Sequence, residues 1–478
     1  MLIQKKLMKK KIIIVFGVIL IFLIINYISI TYLKTGNGYI SNKIRHNTPQ
    51  FLKDNLKKVN NKLKKNFFIF ENYKNKVTEN EKLNIYIFSL LDKISFFDFE
   101  FDSTFTPEGT DYLVTKYHNS LFFEMGPRAY LAKDENNIYI ITGSGSLMYL
   151  PIKEIDNSKE LIFKKINTNF FKLASSRYKN GYKKFVKNIL IKNEKIYVSY
   201  YKKENDNCYF NSVIAGDLNL KEIEFKNFFD VNECQPYYDD QTQVGGNLSN
   251  FKDDLILLTI GDSNSYDRQK NDNPQNINSL IGKIISIDTN NGDFNIISMG
   301  HRNPQGLFYD DENDHIYSTE HGPEGGDEIN LNKKPKINNV KNFGWAISSY
   351  GEHYGSEDKW RVEDLYRRAP LNKSHKKFGF EEPLKYFTPA IGITQIIKNN
   401  SFNNPKKENR LYVGSMGWDL SEGDLAIHEI ILDKKFNYKS SNIITIGDRV
   451  RDFIYLEKQD FFIMYLESSA SIAFLKKK

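Results

Sequence analysis

Asp134-Glu135-Asn136-Asn137-Ile138-Tyr139-Ile140-Ile141 sets four turn-forming polar residues directly against a short apolar, β-branched run. Such a junction reads as a turn feeding a strand. Comparable runs recur at Ile196-Tyr197-Val198, Leu255-Ile256-Leu257-Leu258, Ile316-Tyr317, Leu411-Tyr412-Val413 and Phe461-Phe462-Ile463-Met464. The last of them follows the polar cluster Glu457-Lys458-Gln459-Asp460. From second residue to second residue, the spacings are 58, 59, 61, 95 and 50. The long gap holds an irregular stretch, about 333–385, that reads as an insertion. Each run is taken as the first strand of a β unit. Six units at this spacing predict radial repetition, an all-β, six-bladed β-propeller whose sheets close a ring around a central channel. A β-sandwich is the alternative, but six regular units are too many for one.

Composition narrows the function classes. The chain has 478 residues, with 29 Tyr and 35 Phe, which is ample surface to bury and excludes a disordered chain. Two Cys exclude a disulfide scaffold and a Cys-based zinc protein. In the region outside the cytoplasm, Cys208 and Cys234 either pair or stand as two separate buried thiols. The formal charge is +8, but Lys5, Lys6, Lys9, Lys10 and Lys11 account for most of it. No nucleic-acid partner is expected.

Those lysines precede Ile12 to Leu33, an uncharged run of 22 residues. A helix of that length crosses about 30 Å of hydrocarbon. The positive-inside rule puts 1–11 in the cytoplasm as a tail, 12–33 in the membrane as a transmembrane anchor, and the rest outside. A cleaved signal peptide is the alternative, with a shorter apolar region and a small-x-small site; Ser29-Ile30-Thr31 serves poorly. No Cys follows the run, which excludes a lipoprotein. Residues 34–110 read as a stalk or linker, with Phe51, Leu52, Leu56, Val59 and Leu63 at helical spacing. The propeller is assigned to 111–478, facing the periplasm or the outside.

The chemistry concentrates in Gly300-His301-Arg302-Asn303-Pro304-Gln305-Gly306, then Glu320-His321-Gly322-Pro323-Glu324-Gly325-Gly326-Asp327-Glu328-Ile329-Asn330, then Asn342-Phe343-Gly344-Trp345. Near the C-terminus stands Asp448-Arg449-Val450-Arg451-Asp452. In order and spacing these stretches resemble the soluble sugar dehydrogenases that depend on pyrroloquinoline quinone (PQQ), the glucose/sorbosone dehydrogenase family. The resemblance implies a six-bladed propeller, in agreement with the independent strand spacing. It implies that Arg302 and Asn303 contact the quinone oxygens and that Arg449 and Arg451 anchor the cofactor carboxylates. It further implies that the Gly322 and Pro323 carbonyls hold a catalytic Ca²⁺, and that Asp327 and Glu328 lie near a second, structural Ca²⁺.

These residue types suit the task. Guanidinium forks match carboxylates and never deprotonate. Carbonyl and carboxylate oxygens suit Ca²⁺. Oxidising a sugar C1 hydroxyl also requires a base for its proton. There the chain departs from the family. Gln243, in Gln243-Val244-Gly245-Gly246-Asn247-Leu248, stands where the family carries its catalytic His, and an amide does not take a proton at neutral pH. Asp239, four residues earlier, would share a strand face with Gln243 and could serve as base instead. A family lysine that contacts the cofactor is replaced within Ser415-Met416-Gly417-Trp418. The expected function is a membrane-anchored PQQ-dependent sugar dehydrogenase with a sugar substrate and an unnamed electron acceptor. The alternative is a non-catalytic propeller that binds a sugar, a cofactor or an envelope partner. No P-loop, Rossmann glycine pattern or nucleophile elbow is present.

Overall fold

The computed structural model describes residues 92–97, 104–119, 128–155, 160–174, 185–205, 207–235, 243–264, 272–354, 359–402 and 404–478. The expected tail (1–11), anchor (12–33), helix (51–63) and Asp239 lie outside the described residues. Among the described residues, no helix is long and apolar enough to cross a membrane.

Six sheets, antiparallel apart from a short parallel pair in two of them, form the blades of a propeller. Their inner strands are Ala129–Lys133, Val186–Lys192, Gly245–Phe251, Pro304–Asp310, Ile393–Lys398 and Val450–Leu456, which define blades 1 to 6. Each inner strand touches the next, and the sixth touches the first, so the ring closes. The outer strand of blade 6 is Tyr112–Tyr117, paired with the C-terminal strand Ser471–Lys477. Closure by the two ends of the propeller chain leaves no open seam between blades.

The apolar runs that signal the repeat are the second strands of the blades, not the first: Asn137–Thr142, Lys195–Asn205, Leu255–Ile260, His315–Glu320, Asn409–Ser415 and Phe461–Leu466. A second strand is paired on both edges and covered on both faces by neighbouring blades, so it reads as a continuous hydrophobic run. Ile138, Ile140, Ile256, Leu258, Tyr412 and Phe462 are all buried. Inner strands are more mixed, with polar or glycine residues interrupting the apolar ones at their starts, as in Gly245-Gly246-Asn247, Pro304-Gln305-Gly306 or Val450-Arg451-Asp452, and their signal is weaker.

The sheets also begin before residue 111. Lys93–Phe97 adds a strand to blade 1 by pairing with Glu160–Thr168, and Thr104–Phe105 pairs with Tyr112–Tyr117. Ile94 and Phe96 are buried there, Phe96 edge-on to Phe163 with centroids 5.5 Å apart. The stretch 334–384 runs between the third strand of blade 4, Asp327–Lys333, and its outer strand, Lys385–Phe387. Cys208 and Cys234 form a disulfide in blade 2.

Most inner strands slip register at their first residues. The shifts fall at Val186/Asn188, Gly245/Leu248, Pro304/Gly306, Ile393/Ile396 and Val450/Asp452. In blade 3 the Thr259 hydroxyl accepts from Gly246 N (3.1 Å) and Asn247 N (2.8 Å) inside the bulge. It donates to Pro304 O of blade 4 at 3.1 Å. Thr259→Val should orphan three buried backbone groups at a cost of about 1–3 kcal/mol each before relaxation. Urea unfolding should show a loss of at least about 2 kcal/mol; no change would mean that the bulge needs no hydroxyl.

Candidate active site

The start of each inner strand and the end of each second strand meet at one end of the channel, as the pairs Gly245↔Ile260, Pro304↔Glu320, Ile393↔Ser415 and Val450↔Leu466 show. The sequence motifs fall on these starts and on the turns beside them. Residues far apart in the chain are thereby gathered into two clusters.

The first cluster centres on Arg302. Its Nη1 donates to the carbonyls of His321 (3.0 Å) and Gly322. With the Gln243 amide turned to satisfy its neighbours, Arg302 Nη2 donates to Gln243 Oε1 at 2.9 Å. Gln243 Nε2 in turn donates to Asp262 Oδ1 at 3.1 Å. Trp345 Nε1 donates to Asp262 Oδ2 at 2.7 Å, and Asn264 N to Oδ1 at 2.9 Å. The Arg302 guanidinium lies 5.3 Å from the Trp345 ring. Burial pushes the Asp262 carboxyl up to about 6, against the pull of Arg302, Asn264 N–H and Trp345 N–H. Asn303 Oδ1 accepts from Gly245 N at 3.2 Å and Gln305 Nε2 at 2.9 Å, tying blade 4 to blade 3.

Arg302, Trp345 and His321 also line a small cavity, together with Glu320, Glu328 and His375. His301 bridges Ser298 Oγ (2.8 Å) and Glu320 Oε2 (2.9 Å). Burial lowers the His321 pKa, so its ring is neutral at pH 7, and its Nε2 meets Ile393 O at 2.6 Å. His375 Nε2 lies 3.3 Å from Glu328 Oε1. Burial raises the Glu328 carboxyl, while the neighbouring Glu328 raises His375 in spite of burial.

The second cluster centres on Glu467. Arg451 Nε donates to Glu467 Oε2, and Arg449 Nη2 stands 3.6 Å from Oε1. The two arginines converge on Glu467, Arg451 from the bulge between Val450 and Asp452. Arg128, just before the inner strand of blade 1, adds its charge to the same group. Burial alone would raise Glu467, but Arg451, Arg128 and Arg449 hold it at about 2. Trp418 lies over Arg449, with the guanidinium 4.3 Å from its ring. It is 73% exposed, in the segment expected to replace the family lysine. The two clusters sense each other, since Arg451 as well as Arg302 opposes protonation of His321.

The expected calcium ligands are differently engaged. Gly322 O accepts from Arg302, and Pro323 O accepts from the Tyr354 hydroxyl at 2.9 Å. Asp327 spends both oxygens on backbone N–H groups, Gly322 N at 3.0 Å and Ile393 N at 2.9 Å. Glu328 faces His375 and Asn330. Among the described residues, no group of three or more His, Cys, Asp or Glu is arranged to hold a metal ion. As arranged, this donor set does not fit Ca²⁺.

Sequence reasoning missed Asp262, Arg128 and Glu467. Asp262 carried a weak signal, an acid in the Gly261-Asp262-Ser263-Asn264 turn directly after an apolar strand. Arg128 and Glu467 carried none, because each matters only through arginines hundreds of residues away or on an adjacent strand.

The sequence profile of the family described as Glucose / Sorbosone dehydrogenase matches residues 186–473, more than half of the chain. An uncharacterized protein of Synechocystis is 28% identical over 253 residues, 48% of this chain and 55% of that protein. The aldose sugar dehydrogenase YliI of Escherichia coli is 24% identical over 273 residues, 54% of this chain and 66% of that enzyme. The chain thus spans between half and two thirds of these curated relatives. A crystal structure of the soluble E. coli aldose sugar dehydrogenase in its apo form superposes with a TM-score of 0.56 at 18% identity, covering 73% of this chain and 95% of that one. The PQQ domain of a Coprinopsis cinerea pyranose dehydrogenase, in holo form, gives 0.51 at 10% identity, covering 78% and 97%. These structural likenesses establish the propeller fold.

Trp345→Phe removes one of the donors that hold Asp262 ionised. The Asp262 carboxyl should then titrate above about 6. In infrared difference spectra, the protonated-acid band assigned by Asp262→Asn should persist to higher pH in the variant. A band that titrates unchanged would mean the indole does not act on this carboxyl.

Proposed function

The chain belongs to the glucose/sorbosone dehydrogenase family, and from this we propose that it is a PQQ-dependent sugar dehydrogenase acting on the C1 hydroxyl of an aldose. One observation carries the reading: the hydrogen-bonded set Arg302, Gln243 and Asp262 stands at the same end of the channel as Arg449 and Arg451. A scaffold has no use for two desolvated arginines sharing one carboxylate beside an arginine–amide–carboxylate chain.

The residues fit the quinone on this structure's own terms. Arg449 and Arg451 share Glu467, and their remaining N–H groups suit the carboxylates of a planar acid. Arg302 and Asn303 would meet its ring oxygens. When bound, PQQ supplies an electrophilic carbonyl that accepts hydride. Arg302, itself buried, would place fixed positive charge where negative charge develops. Trp345 and Gln243 keep that guanidinium in place. No step is assigned to calcium, because its expected carbonyls are engaged by Arg302 and Tyr354.

The proton is the weak point. Gln243 cannot accept it, and Asp262, the nearest ionised carboxylate, has both oxygens occupied by donors. Turnover of the wild type is therefore expected to be slow. Gln243→His would place an imidazole where Asp262 already receives a hydrogen bond, and this carboxylate would orient it. Dye reduction with aldose and reconstituted protein should rise by up to about 10²–10⁴-fold. The gain should vanish in Gln243→His combined with Asp262→Asn. Fast wild-type turnover would show that another base serves. Quinone binding without turnover in wild type and variant alike would favour the non-catalytic propeller.

Placement outside the cytoplasm is part of the same proposal. It is supported by the run 12–33 behind five lysines and by the Cys208–Cys234 disulfide, since such bonds persist in oxidising compartments. A reporter fused after Lys478 should be active outside the cytoplasm and sediment with membranes. A freely soluble, shortened product would identify a cleaved signal instead.

A further inference from the structure

Arg128 is placed where the ring closes. It precedes the inner strand of blade 1, and that strand touches the inner strand of blade 6, which carries Arg451. Leu131 N of blade 1 donates to Asp452 Oδ2 of blade 6 at 2.8 Å, fixing the two strands side by side. Arg128 therefore enters the Glu467 cluster from the opposite side of the seam to Arg449 and Arg451.

Three arginines surround Glu467, with Asp448 acting on Arg449 and Asp452 on Arg451, neither of which acts on Arg128 among its main neighbours. Glu467 is engaged by Arg451 and stands near Arg449, while Arg128 Nε is buried with no hydrogen-bond partner. Burial, and next the charge of Arg451, make the protonated Arg128 less favourable than in water. A desolvated guanidinium with an orphaned N–H costs stability unless something completes it. The carboxylate best placed to do so, Glu467, is already shared. Nε itself is buried, but the residue as a whole is only partly so, and an anion entering this end of the channel would meet the outer N–H groups of the fork, which a carboxylate matches best.

We propose that Arg128 is a cofactor-binding residue, which takes one carboxylate of the quinone together with Arg449 and Arg451. The inference rests on the quinone reading above and adds to it a contact from blade 1 that the family motifs do not contain. It also gives ring closure a function, because the anchor exists only when blades 1 and 6 are joined.

The test is equilibrium binding of PQQ to the full-length protein, followed by the absorbance of the bound quinone and by calorimetry, without any turnover. Arg128→Met should weaken binding at least ten-fold, and Arg128→Lys should recover part of the loss. With the trimethyl ester of PQQ as probe, wild type and Arg128→Met should bind alike, because the ester has no carboxylate to lose. A purely structural role for Arg128 would weaken both ligands equally, and that result would overturn the proposal. Equal PQQ affinity in wild type and Arg128→Met would overturn it while leaving the quinone reading intact. Failure of the wild type to bind PQQ at all would overturn both. Should Arg128→Met not fold, Arg128→Lys decides: its affinity for PQQ should fall and its affinity for the ester should not.

Discussion

The site depends on hydroxyl groups that reach from the second strand of one blade to the inner strand of the next. Ser199 Oγ donates to Gly246 O, Thr259 Oγ1 to Pro304 O and Thr319 Oγ1 to Thr394 O. Between blades 5 and 6 the hydroxyl comes instead from the inner strand, where Thr394 Oγ1 donates to Val450 O at 2.7 Å. Each contact lands on a strand that has just slipped register, so it secures backbone left without ladder partners. Bulges bend the start of the inner strand and turn side chains away from simple alternation. Arg451 reaches Glu467 from such a bulge. The latches thus join blade to blade and aim the residues that face the channel end. Small side chains are required beside them: a Cβ on Gly306 would meet Thr319 Oγ1 at 2.4 Å and Thr394 O at 2.4 Å.

On this frame the two clusters use burial in opposite ways. Glu467 is desolvated, yet three arginines keep it ionised, held at about 2. Asp262 is equally desolvated, but one arginine and a few N–H donors only partly offset burial, leaving it at about 6. The difference is the number of cations each carboxylate sees. Glu467 is a fixed counter-charge that keeps several guanidinium groups together. Asp262 can change its protonation state near neutrality. Because donors occupy both of its oxygens, Asp262 holds Gln243 and Trp345 in place in either state.

The limits of the sequence follow from the same architecture. The blade repeat was legible because second strands are buried on both faces, as Ile138-Tyr139-Ile140-Ile141 illustrates. Inner strands, which hold the candidate site residues, were harder to see, because polar or glycine residues at the bulged start break the apolar run, as in Gly245-Gly246-Asn247. Arg302, Gln243, Arg449 and Arg451 were legible because they stand in contiguous motifs with a family likeness. Asp262 and Arg128 were not, since their roles arise from contact across a blade or across the closing seam. The acidic pair Asp327 and Glu328 shows the converse. Adjacent in sequence, they alternate on a strand and do different work: Asp327 braces the backbone at Gly322 and Ile393, while Glu328 faces His375.

Gln243 is where these constraints meet. It must bridge Arg302 and Asp262, one a donor and the other an acceptor. A carboxamide satisfies both at once, offering oxygen to the guanidinium and nitrogen to the carboxylate. A neutral imidazole could serve Asp262 through one N–H and turn its unprotonated nitrogen either to Arg302 or to a substrate hydroxyl, but not to both. The amide therefore holds Arg302 more firmly and gives up proton transfer. Under the proposed function, such an exchange would favour retention of the quinone-binding geometry over speed of oxidation.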